Sequence, residues 1–352
     1  MKGLAIFPHD LATRKMSLVR RHHLKAFRRC LGEGNFHVTG PGWPDWRDGE
    51  TLQENVDRIM PDAEFLWGYK VHEGIKSPDV HKQPLVVAYN EAWWPDDRAK
   101  KEVLAVKADV VICHHLSDMK QFDGCGALVT HIPHAADPDL FCRFSKPWRE
   151  REIDVLVTGA LDKEIYPFRT KMAEVIRSGG LLPLNAVVHK HPGYRLRDEE
   201  ACLRQDEEYA KLLGNTKISI VCGSKYNYGL AKYFESFMAG CYVLGTHVND
   251  TYRYNSQFDT GGSLVQGQYP GGCCFSWVNS DADIPERMQA AFDLIDAICT
   301  GSEFSNLESE IGYYLLKQAE FARVYSSMER YASLVFAALE RARKRTAKRQ
   351  SH

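Results

Sequence analysis

Short apolar runs rich in β-branched residues alternate with segments of helical periodicity along the first part of the chain. Six runs have the length and composition of strands, and three of the segments between them have clear helical spacing. The strands are predicted at 3–7, 35–39, 64–68, 84–89, 109–113 and 127–132, and the helices at 17–31, 50–60 and 96–107. This βαβ alternation predicts a parallel sheet with helices on both faces.

The pattern breaks between residues 133 and 151, a segment with three prolines and little periodicity, and a second α/β series then begins. Its strands are predicted at 153–158, 184–189, 216–222, 241–246 and 273–278, and its helices at 166–178, 206–213, 229–239, 284–300 and across most of 308–346. The predicted fold class is α/β, with two Rossmann-like open parallel-sheet domains that face a cleft. The domains are expected at 1–148 and 149–325. Ligands of such sheets bind beyond the carboxyl ends of the strands.

Composition indicates a globular protein large enough for two domains. The chain has 352 residues, of which 44% are hydrophobic and 26% charged. No apolar run reaches the roughly 18 residues that crossing a membrane requires. The start MKGLAIF is too short for a signal-peptide core and is typical of a first strand. Ten cysteines without a CxxC pair are expected to be reduced, which predicts a cytoplasmic protein without a cysteine-based zinc site.

Charge is balanced over the whole chain but uneven along it. The net charge is −1, so no global field attracts nucleic acid. The segments 14–29 and 341–349 are strongly basic. Two interpretations stay open for them: solvated helix faces and a frayed terminus, or a docking surface that brings the protein peripherally to an anionic membrane or a nucleic acid.

The stretch YNYGLAKYFESFMAGCYVLG, residues 226–245, combines a helix pattern with an apolar strand. Asn227 suits an N-cap, and Gly240 suits the residue after the helix C-terminus. Lys232 and Glu235 stand on the face opposite the apolar stripe, either as a surface ion pair worth about 0.2–0.5 kcal/mol or as residues that face a cleft. A lysine in the first turn opposes the helix dipole, which favours an anion between it and the helix N-terminus. The stripe itself is formed by Leu230, Tyr233, Phe234, Phe237 and Met238.

The run KYNYGLAKYFESFMAGCYVLG resembles the donor-site segment of glycosyltransferases with the GT-B fold, especially group 1 and spore-maturation CgeB-like relatives. In these families a basic residue precedes a glutamate by three positions, and M-A-x-G and a hydrophobic strand follow. The resemblance implies that Lys232 contacts the diphosphate of a nucleotide sugar and that Glu235 binds its ribose. Fixed positive charge and a bidentate carboxylate suit these two tasks.

Two further segments resemble the same families near the start of the second domain. HIPHAADPDLF at 131–141 is similar to the link that closes the first domain. IDVLVTGALDKEIYPFR at 153–169 is similar to the opening of the donor domain, and this likeness places Gly159 in the phosphate-side loop.

The resemblance continues to the end of the second domain and covers roughly residues 127–340. VVHKHPGY at 187–194 stands where relatives read H-P-x-Y. FARVYSSMERYASLVFAALE at 321–340 resembles the helices that return to the first domain. A C-terminal helix at about 326–346 is therefore expected on the first domain, followed by a basic tail at 347–352.

One departure from the family pattern concerns the sugar end of the donor site. Many retaining members carry another glutamate eight positions before the one that binds ribose, and here that position is Asn227. An amide can hydrogen-bond a sugar hydroxyl but cannot act as a carboxylate. Inverting and retaining outcomes therefore both stay open, as does the identity of the sugar.

Loops that follow strands of the second domain supply further donor-binding candidates. The basic residues among them could add charge to the diphosphate site, or they are ordinary solvated loop residues. These candidates are Lys163, Arg169, Ser224, Lys225 and Tyr226.

Two pairs of histidines also follow strands. His189 and His191 have an H-x-H spacing that could ligate a metal, but no nearby carboxylate completes a site. His189 is therefore expected to pack in the core or against the nucleoside. His114 or His115, after the strand at 109–113, is a candidate for the cleft.

The first domain offers candidates for acid–base chemistry. The sequence FPHD follows the first strand. A general base of an inverting enzyme should titrate near neutrality, which suits a histidine, so His9, oriented by Asp10, is the candidate. The alternative is a capping Asp10 beside a partly exposed His9. In YNEAWWPDD, Glu91 stands close to two tryptophans, a common surface for sugar recognition, although tryptophans also fill cores.

With the resemblance, these residues predict a metal-independent glycosyltransferase of hexosyl or pentosyl type, with no cofactor beyond its nucleotide-sugar donor. The acceptor hydroxyl could belong to a glycan, a lipid-linked glycan or a modified nucleic-acid base. One alternative is a nucleotide-sugar 2-epimerase of the same fold, which the missing carboxylate at Asn227 disfavours. Another is a non-catalytic protein that binds nucleotides or polyanions through its basic segments.

Overall fold

The computed structural model describes residues 1–9, 18–68, 82–92, 97–179, 184–191, 199–246, 248, 275–278, 319–320, 322–324 and 326–350. Some predicted features lie outside these residues, namely Asp10, the two tryptophans after Glu91, and the helix at 284–300.

The chain divides into two compact units. The first comprises Met1–Ala135, Tyr194–Cys202 and Met328–His352, and the second comprises Ala136–Gly193 and Leu203–Ser327. The division therefore comes earlier in the chain than the boundary expected at 148.

A six-stranded parallel sheet forms the centre of the first unit. Its order is β2-β1-β3-β4-β5-β6. The chain adds β2 on one side of β1 and β3 on the other, so the reversal point of the strand order lies between β1 and β3. All six strands lie within the predicted runs, which confirms this half of the α/β prediction. They are β1 (Gly3–Ile6), β2 (Phe36–Thr39), β3 (Phe65–Gly68), β4 (Leu85–Tyr89), β5 (Val110–Cys113) and β6 (Leu128–His131).

Helices α1 (Leu18–Leu31), α2 (Leu52–Ile59) and α3 (Arg98–Ala105) connect these strands. α2 begins with a capping box, in which the Thr51 side chain accepts from the Glu54 backbone N–H while the Glu54 carboxylate accepts from the Thr51 backbone N–H. One side of the sheet is covered by an aromatic core in which Phe27 of α1 packs against Phe65 and Trp67.

The second unit is built on a five-stranded parallel sheet. Its order is β11-β10-β9-β7-β8, so the reversal lies between β7 and β9. Apolar side chains of the central strands form a separate core with Phe168 and Met172. The strands are β7 (Ile153–Val157), β8 (Ala186–Val188), β9 (Thr216–Val221), β10 (Tyr242–Thr246) and β11 (Phe275–Val278).

Four described helices accompany this sheet. They are α4 (Pro138–Phe141), α5 (Pro167–Arg177), α6 (Glu199–Gly214) and α7 (Ala231–Met238). The helix predicted at 206–213 is thus longer at its N-terminal end. Short 3-10 helices occur at Glu33–Asn35, Leu116–Phe122 and Trp148–Glu150.

The start of α7 corrects a sequence prediction. Its N-cap is Leu230 and not Asn227, which has a φ of 56° and belongs to the preceding turn. At the other end Gly240 has a φ of 68°, the left-handed conformation expected after a helix C-terminus. The first turn of α7 therefore starts without a capping side chain and contains Lys232.

The face of α7 that bears Glu235 is buried, which argues against one of the two alternatives, a surface ion pair. Glu235 is 3% exposed and Ser236 is 1% exposed. The Ser236 hydroxyl lies 2.9 Å from the hydroxyl of Ser219 in β9. Buried polar groups on a short helix need hydrogen-bond partners, which come from the protein or from a ligand.

Helix α8 (Met328–Gln350) belongs to the first unit, as the C-terminal helix was predicted to do. It packs against α1, where Arg29 Nη1 lies 3.2 Å from Glu329 Oε1, and Arg343 donates to the backbone carbonyl of Glu64. The helix continues past the predicted end at 346. Some of the basic residues of 14–29 and 341–349 thus bind partners within this unit.

Two further observations concern membranes and cysteines. Among the helices that the structure describes, none is both long and apolar enough to cross a bilayer. The cysteines with described side chains are free thiols, namely Cys30, Cys113, Cys125, Cys142, Cys222 and Cys241.

Candidate functional site

The loops that follow β7 and β9 meet at the reversal point of the second sheet. The backbone N–H of Lys225, after β9, donates to the backbone carbonyl of Ile165, after β7, at 2.8 Å. Helix α7 starts directly after the second loop, so its first turn lies at the same edge. In open α/β sheets this edge is where ligands bind.

A tyrosine connects the two polar residues of α7. The Tyr209 hydroxyl of α6 donates to Glu235 Oε2 at 3.0 Å and accepts from Lys232 Nζ at 3.2 Å. The Lys232 ammonium also donates to Thr158 Oγ1 at 3.3 Å and lies 4.4 Å from the centre of the Tyr209 ring. These contacts fix both charged groups at the carboxyl end of β7.

Arg169 adds a second cation at the same place. This residue of α5 is 2% exposed, and its Nη1 donates to the backbone carbonyl of Ala160 at 3.2 Å. Its guanidinium stacks on the Tyr166 ring at 4.3 Å. Arg169 Nε and Nη2 are buried without a hydrogen-bond partner. Two donors of a buried cation are therefore available to an anion.

Gly159 leaves room for the side chains of Arg169 and Lys232 to come close to each other. Its φ is +100°, and a Cβ placed on it would lie 2.7 Å from Arg169 Nη1 and 3.0 Å from Lys232 Cε. The side chains of Arg169 and Lys232 thus lie too close to this position for any residue with a Cβ atom. Glycine is needed here for its backbone conformation and for the space above it.

The electrostatic surroundings of these groups are positive. Burial lowers the pKa of Lys232 to about 8, with Glu235 opposing and Arg169 adding to the shift. Partial burial also lowers the pKa of His189, and the charge of Lys232 lowers it further while that of Glu208 opposes the shift. The same causes, together with Arg169, lower the pKa of His191. A group that two cations repel from its charged form lies in a field that attracts anions.

Replacing Gly159 tests the space between the cations. Gly159→Ala should displace Arg169 and Lys232 and strain the backbone, and we expect anion affinity at this edge to fall about tenfold. The measurement is calorimetric titration with a nucleoside diphosphate. Gly126→Ala is the matched control, because Gly126 also has a positive φ, of +83°, but nothing lies within 4 Å of its Cβ position. Equal affinities in the two variants would contradict the assignment.

The other loop candidates of the second unit have differing exposure. Ser224, with a φ of 62°, is buried, and its hydroxyl accepts from the backbone N–H of Tyr226. Lys163, Lys225 and Asn227 are exposed. Lys225 Nζ lies 5.3 Å from the centre of the Tyr226 ring. Their roles in donor binding stay predictions.

His189 lies at the carboxyl end of β8. Its backbone N–H donates to the backbone carbonyl of Val157, and its side chain is exposed. The prediction of a core position is therefore wrong, whereas packing against a nucleoside stays a prediction.

The acid–base candidates His9 and Glu91 belong to the first unit. His9 follows β1 at the reversal point of the first sheet, and its ring lies edge-on to Trp43 with centroids 5.2 Å apart. Glu91 follows β4 and is partly buried. Their catalytic roles stay predictions.

His114 and His115 are buried, although a position at the cleft was predicted for one of them. They are 1% and 0% exposed, because α1 and the segment after β6 cover the end of β5. The prediction that one of them lines the cleft is therefore not supported by their burial.

Sequence reasoning missed Tyr209 and Thr158. Tyr209 is one aromatic residue within a helix, and its partners Lys232 and Glu235 are 23 and 26 positions away. Thr158 directly precedes Gly159, so its position after a strand was an available signal.

Comparisons with known structures identify the architecture. HepE of Anabaena in complex with UDP has a TM-score of 0.58 at 10% identity, covering 97% of this chain and 100% of that one. HepE with UDP-glucose gives 0.56 at 9% identity, covering 99% and 100%. A glycosyltransferase from Rickettsia africae gives 0.57 at 9% identity, covering 97% and 98%. No protein-family model and no curated protein matches the sequence.

These similarities confirm the predicted GT-B fold, with two Rossmann-like parallel-sheet units and a C-terminal helix on the first. The more specific likeness to CgeB-like relatives stays a prediction.

Proposed function

We propose that this protein is a glycosyltransferase that moves a sugar from a nucleotide-diphosphate sugar to an acceptor hydroxyl. The observation that carries the proposal is the pair of close cations, Arg169 and Lys232, at the reversal point of the second sheet. Arg169 Nη1 and Lys232 Cε both lie within 3.0 Å of the Cβ position of Gly159, and like charges this near repel. A diphosphate between them would satisfy the donors of Arg169 that have no partner. Neighbours of the same fold hold UDP and UDP-glucose, which supports this donor class.

The chemistry required of this site is stabilisation of a leaving group. When the glycosidic bond to the diphosphate breaks, negative charge develops on the bridging phosphate oxygen. Lys232 Nζ and Arg169 Nη2 are cationic donors fixed in place before the reaction, so they stabilise that charge without reorganising. Protein charges alone would then serve the diphosphate, and the donor site is proposed to work without a metal.

Glu235 is proposed to bind the ribose of the donor. Its Oε2 accepts from Tyr209, which orients the carboxylate. Burial raises the pKa of Glu235, and the charge of Lys232 opposes the shift. A carboxylate oriented by the hydrogen bond from Tyr209 is suited to accept from two vicinal hydroxyls.

The acceptor side is proposed to lie on the first unit. Its reaction needs a base that takes the hydroxyl proton if the mechanism is inverting, and His9 is the candidate. Glu91 is the second candidate. A glycan hydroxyl is the proposed acceptor class, with a lipid-linked glycan or a modified base as outcomes that product analysis would distinguish.

A donor panel with mass spectrometry of the products tests the proposed function. The full chain is incubated with nucleotide sugars, with and without glycan acceptors, and the glycosylated product is expected only when both are present. A changed sugar without any acceptor would show an epimerase instead. Binding without any turnover, combined with salt-sensitive binding to DNA or anionic vesicles, would show a non-catalytic protein.

Donor affinity should depend on pH through Lys232. Because its pKa is about 8, the lysine is charged below that pH and loses its proton above it. The donor diphosphate prefers the charged form, so affinity is expected to be constant below about pH 7 and to fall up to tenfold per unit above about pH 8. Calorimetry with UDP-glucose measures this, since its diphosphate does not titrate in the range.

The matched variant for this titration is Lys232→Arg, which stays charged throughout the range. Its affinity profile should be flat above about pH 8, whatever its absolute value. The same fall in Lys232→Arg as in the natural chain would assign the pH dependence to a group other than Lys232.

A further inference from the structure

Three buried histidines of the first unit lie close together beyond the ends of β5 and β6. His23 comes from α1, His114 directly follows β5, and His134 follows β6. One ring nitrogen of each lies within 4.8 Å of those of the other two. The three side chains are 1%, 1% and 4% exposed, respectively. This cluster is separate from the cationic site, which belongs to the second unit.

Each of these rings carries a buried nitrogen without a hydrogen-bond partner. These are His23 Nε2, His114 Nε2 and His134 Nδ1. Burying a polar atom without a partner costs about 1–3 kcal/mol. Three such atoms in one cluster would destabilise the fold, unless one bound ligand satisfies all of them.

The chemistry of the rings suits a metal ligand. His114 Nδ1 lies 2.9 Å from the carbonyl oxygen of Ile132. Donation to that oxygen leaves a lone pair on Nε2 and fixes the ring, as a carbonyl commonly does behind a metal-binding histidine. Burial lowers the pKa of His114 to about 3, and it lowers those of His23 and His134 well below the ordinary value. The rings are therefore neutral, which is the form that binds metals.

The surroundings hold the rings in place. Tyr331 of α8 stacks on His23 with centroids 4.1 Å apart and an interplanar angle of 4°. The His115 ring lies edge-on to His134 at 5.2 Å. In a tetrahedral site with bonds of about 2.1 Å, nitrogens lie about 3.4 Å apart. The three nitrogens lie within 4.8 Å of one another, so binding one ion requires the rings to move until their nitrogens reach that distance.

We propose that His23, His114 and His134 bind one divalent transition-metal ion of the zinc class, which joins α1 to the ends of β5 and β6. Three imidazoles are ligands that such ions prefer, and they exclude Mg²⁺ and Ca²⁺, which take oxygen. The proposed role is structural. It leaves the donor site free of metal, because the two sites lie in different units.

The experiment uses the full chain without a histidine tag, with Zn²⁺ and Co²⁺ as probes. Elemental analysis after removal of loose metal is expected to give one zinc per chain. Stripping with a chelator should lower the Tm by about 5 °C, and added Zn²⁺ should restore it. Co²⁺ should give visible absorption bands of a nitrogen-ligated ion of low coordination number. A stripped chain whose Tm does not respond to Zn²⁺ would overturn the proposal.

Variants locate the ion. His114→Phe keeps a ring in the cluster but removes its nitrogens, and it is expected to lose both the stoichiometric zinc and the dependence of Tm on Zn²⁺. His37→Ala is the control, because His37 is exposed and pairs with Asp45; it should keep both. Retention of one tightly bound zinc by His114→Phe would overturn the assignment. So would loss of that zinc in His189→Ala/His191→Ala, which removes the H-x-H pair.

Discussion

Lys232→Met is expected to lower kcat/KM for the donor about 100- to 1,000-fold, the range observed when one fixed donor to a developing negative charge is removed. Methionine keeps most of the length and apolar volume of the lysine side chain, so the packing against Tyr209 survives. The charge and the donor to the diphosphate are lost. Initial rates with the nucleotide sugar identified by the donor panel measure this effect.

Comparing the affinities for a nucleoside diphosphate and a monophosphate shows whether the loss of kcat/KM comes from a missing contact with the diphosphate. The natural chain should bind the nucleoside diphosphate of the donor at least about tenfold more tightly than the monophosphate. In Lys232→Met this ratio should shrink towards one. Lys146→Met is the matched control, because Lys146 is an exposed lysine of the same unit that pairs with Glu152. An unchanged ratio in Lys232→Met would show that the lysine does not contact the diphosphate.

Arg151→Ala is expected to destabilise the second unit by about 3 kcal/mol or more. Arg151 is 5% exposed, and its guanidinium donates to four backbone carbonyls and to the hydroxyl of Ser145. Removing it takes a donor from the buried carbonyls of Thr216 and Ala239 and from two partly buried ones, and each buried group left without a partner costs about 1–3 kcal/mol. The carbonyls belong to Lys146, Thr216, Ala239 and Gly240.

The effect should appear as a fall in Tm of about 10 °C for the transition that reports the second unit. Differential scanning calorimetry measures it, and two transitions are fitted since the chain has two units. Arg143→Ala is the control, because that exposed arginine forms a surface ion pair with Glu207, and we expect a change within about 0.5 kcal/mol. Similar Tm values for Arg151→Ala and Arg143→Ala would refute the role assigned to Arg151.

Much of the fold could be predicted from the sequence because parallel strands are buried on both faces. Their apolar runs stand out whatever lies next to them, so the described strands fall within the predicted ranges. The helix returning to the first unit was predicted from a resemblance, and α8 confirms it. It ends later than predicted, since residues 347–350, with the charged Lys348 and Arg349 among them, continue the helix.

Long-range burial could not be predicted in the same way. Glu235 and Ser236 have the polarity of an exposed face, but Tyr209 and Ser219 supply partners from other elements. The cap of α7 was misplaced because Asn227 is a good capping residue locally, whereas its turn takes a left-handed conformation before the helix starts. Local pattern predicts elements, and contacts between elements decide which polar residues are buried.

The histidine cluster was missed for the same reason. His23, His114 and His134 stand in three segments far apart in the chain, and no short spacing links them as it links His189 and His191. A signal was present in the doublets at 22–23 and 114–115. Only the parallel order of β5 and β6, with α1 across their ends, brings these residues together.

A crystal structure of the full chain grown with UDP shows whether the diphosphate of a nucleotide sugar binds between Arg169 and Lys232. We expect phosphate oxygens within about 3.5 Å of Lys232 Nζ and Arg169 Nη2, with the ribose hydroxyls at Glu235. A diphosphate bound elsewhere on the chain, with both cations left out of contact, would contradict this placement.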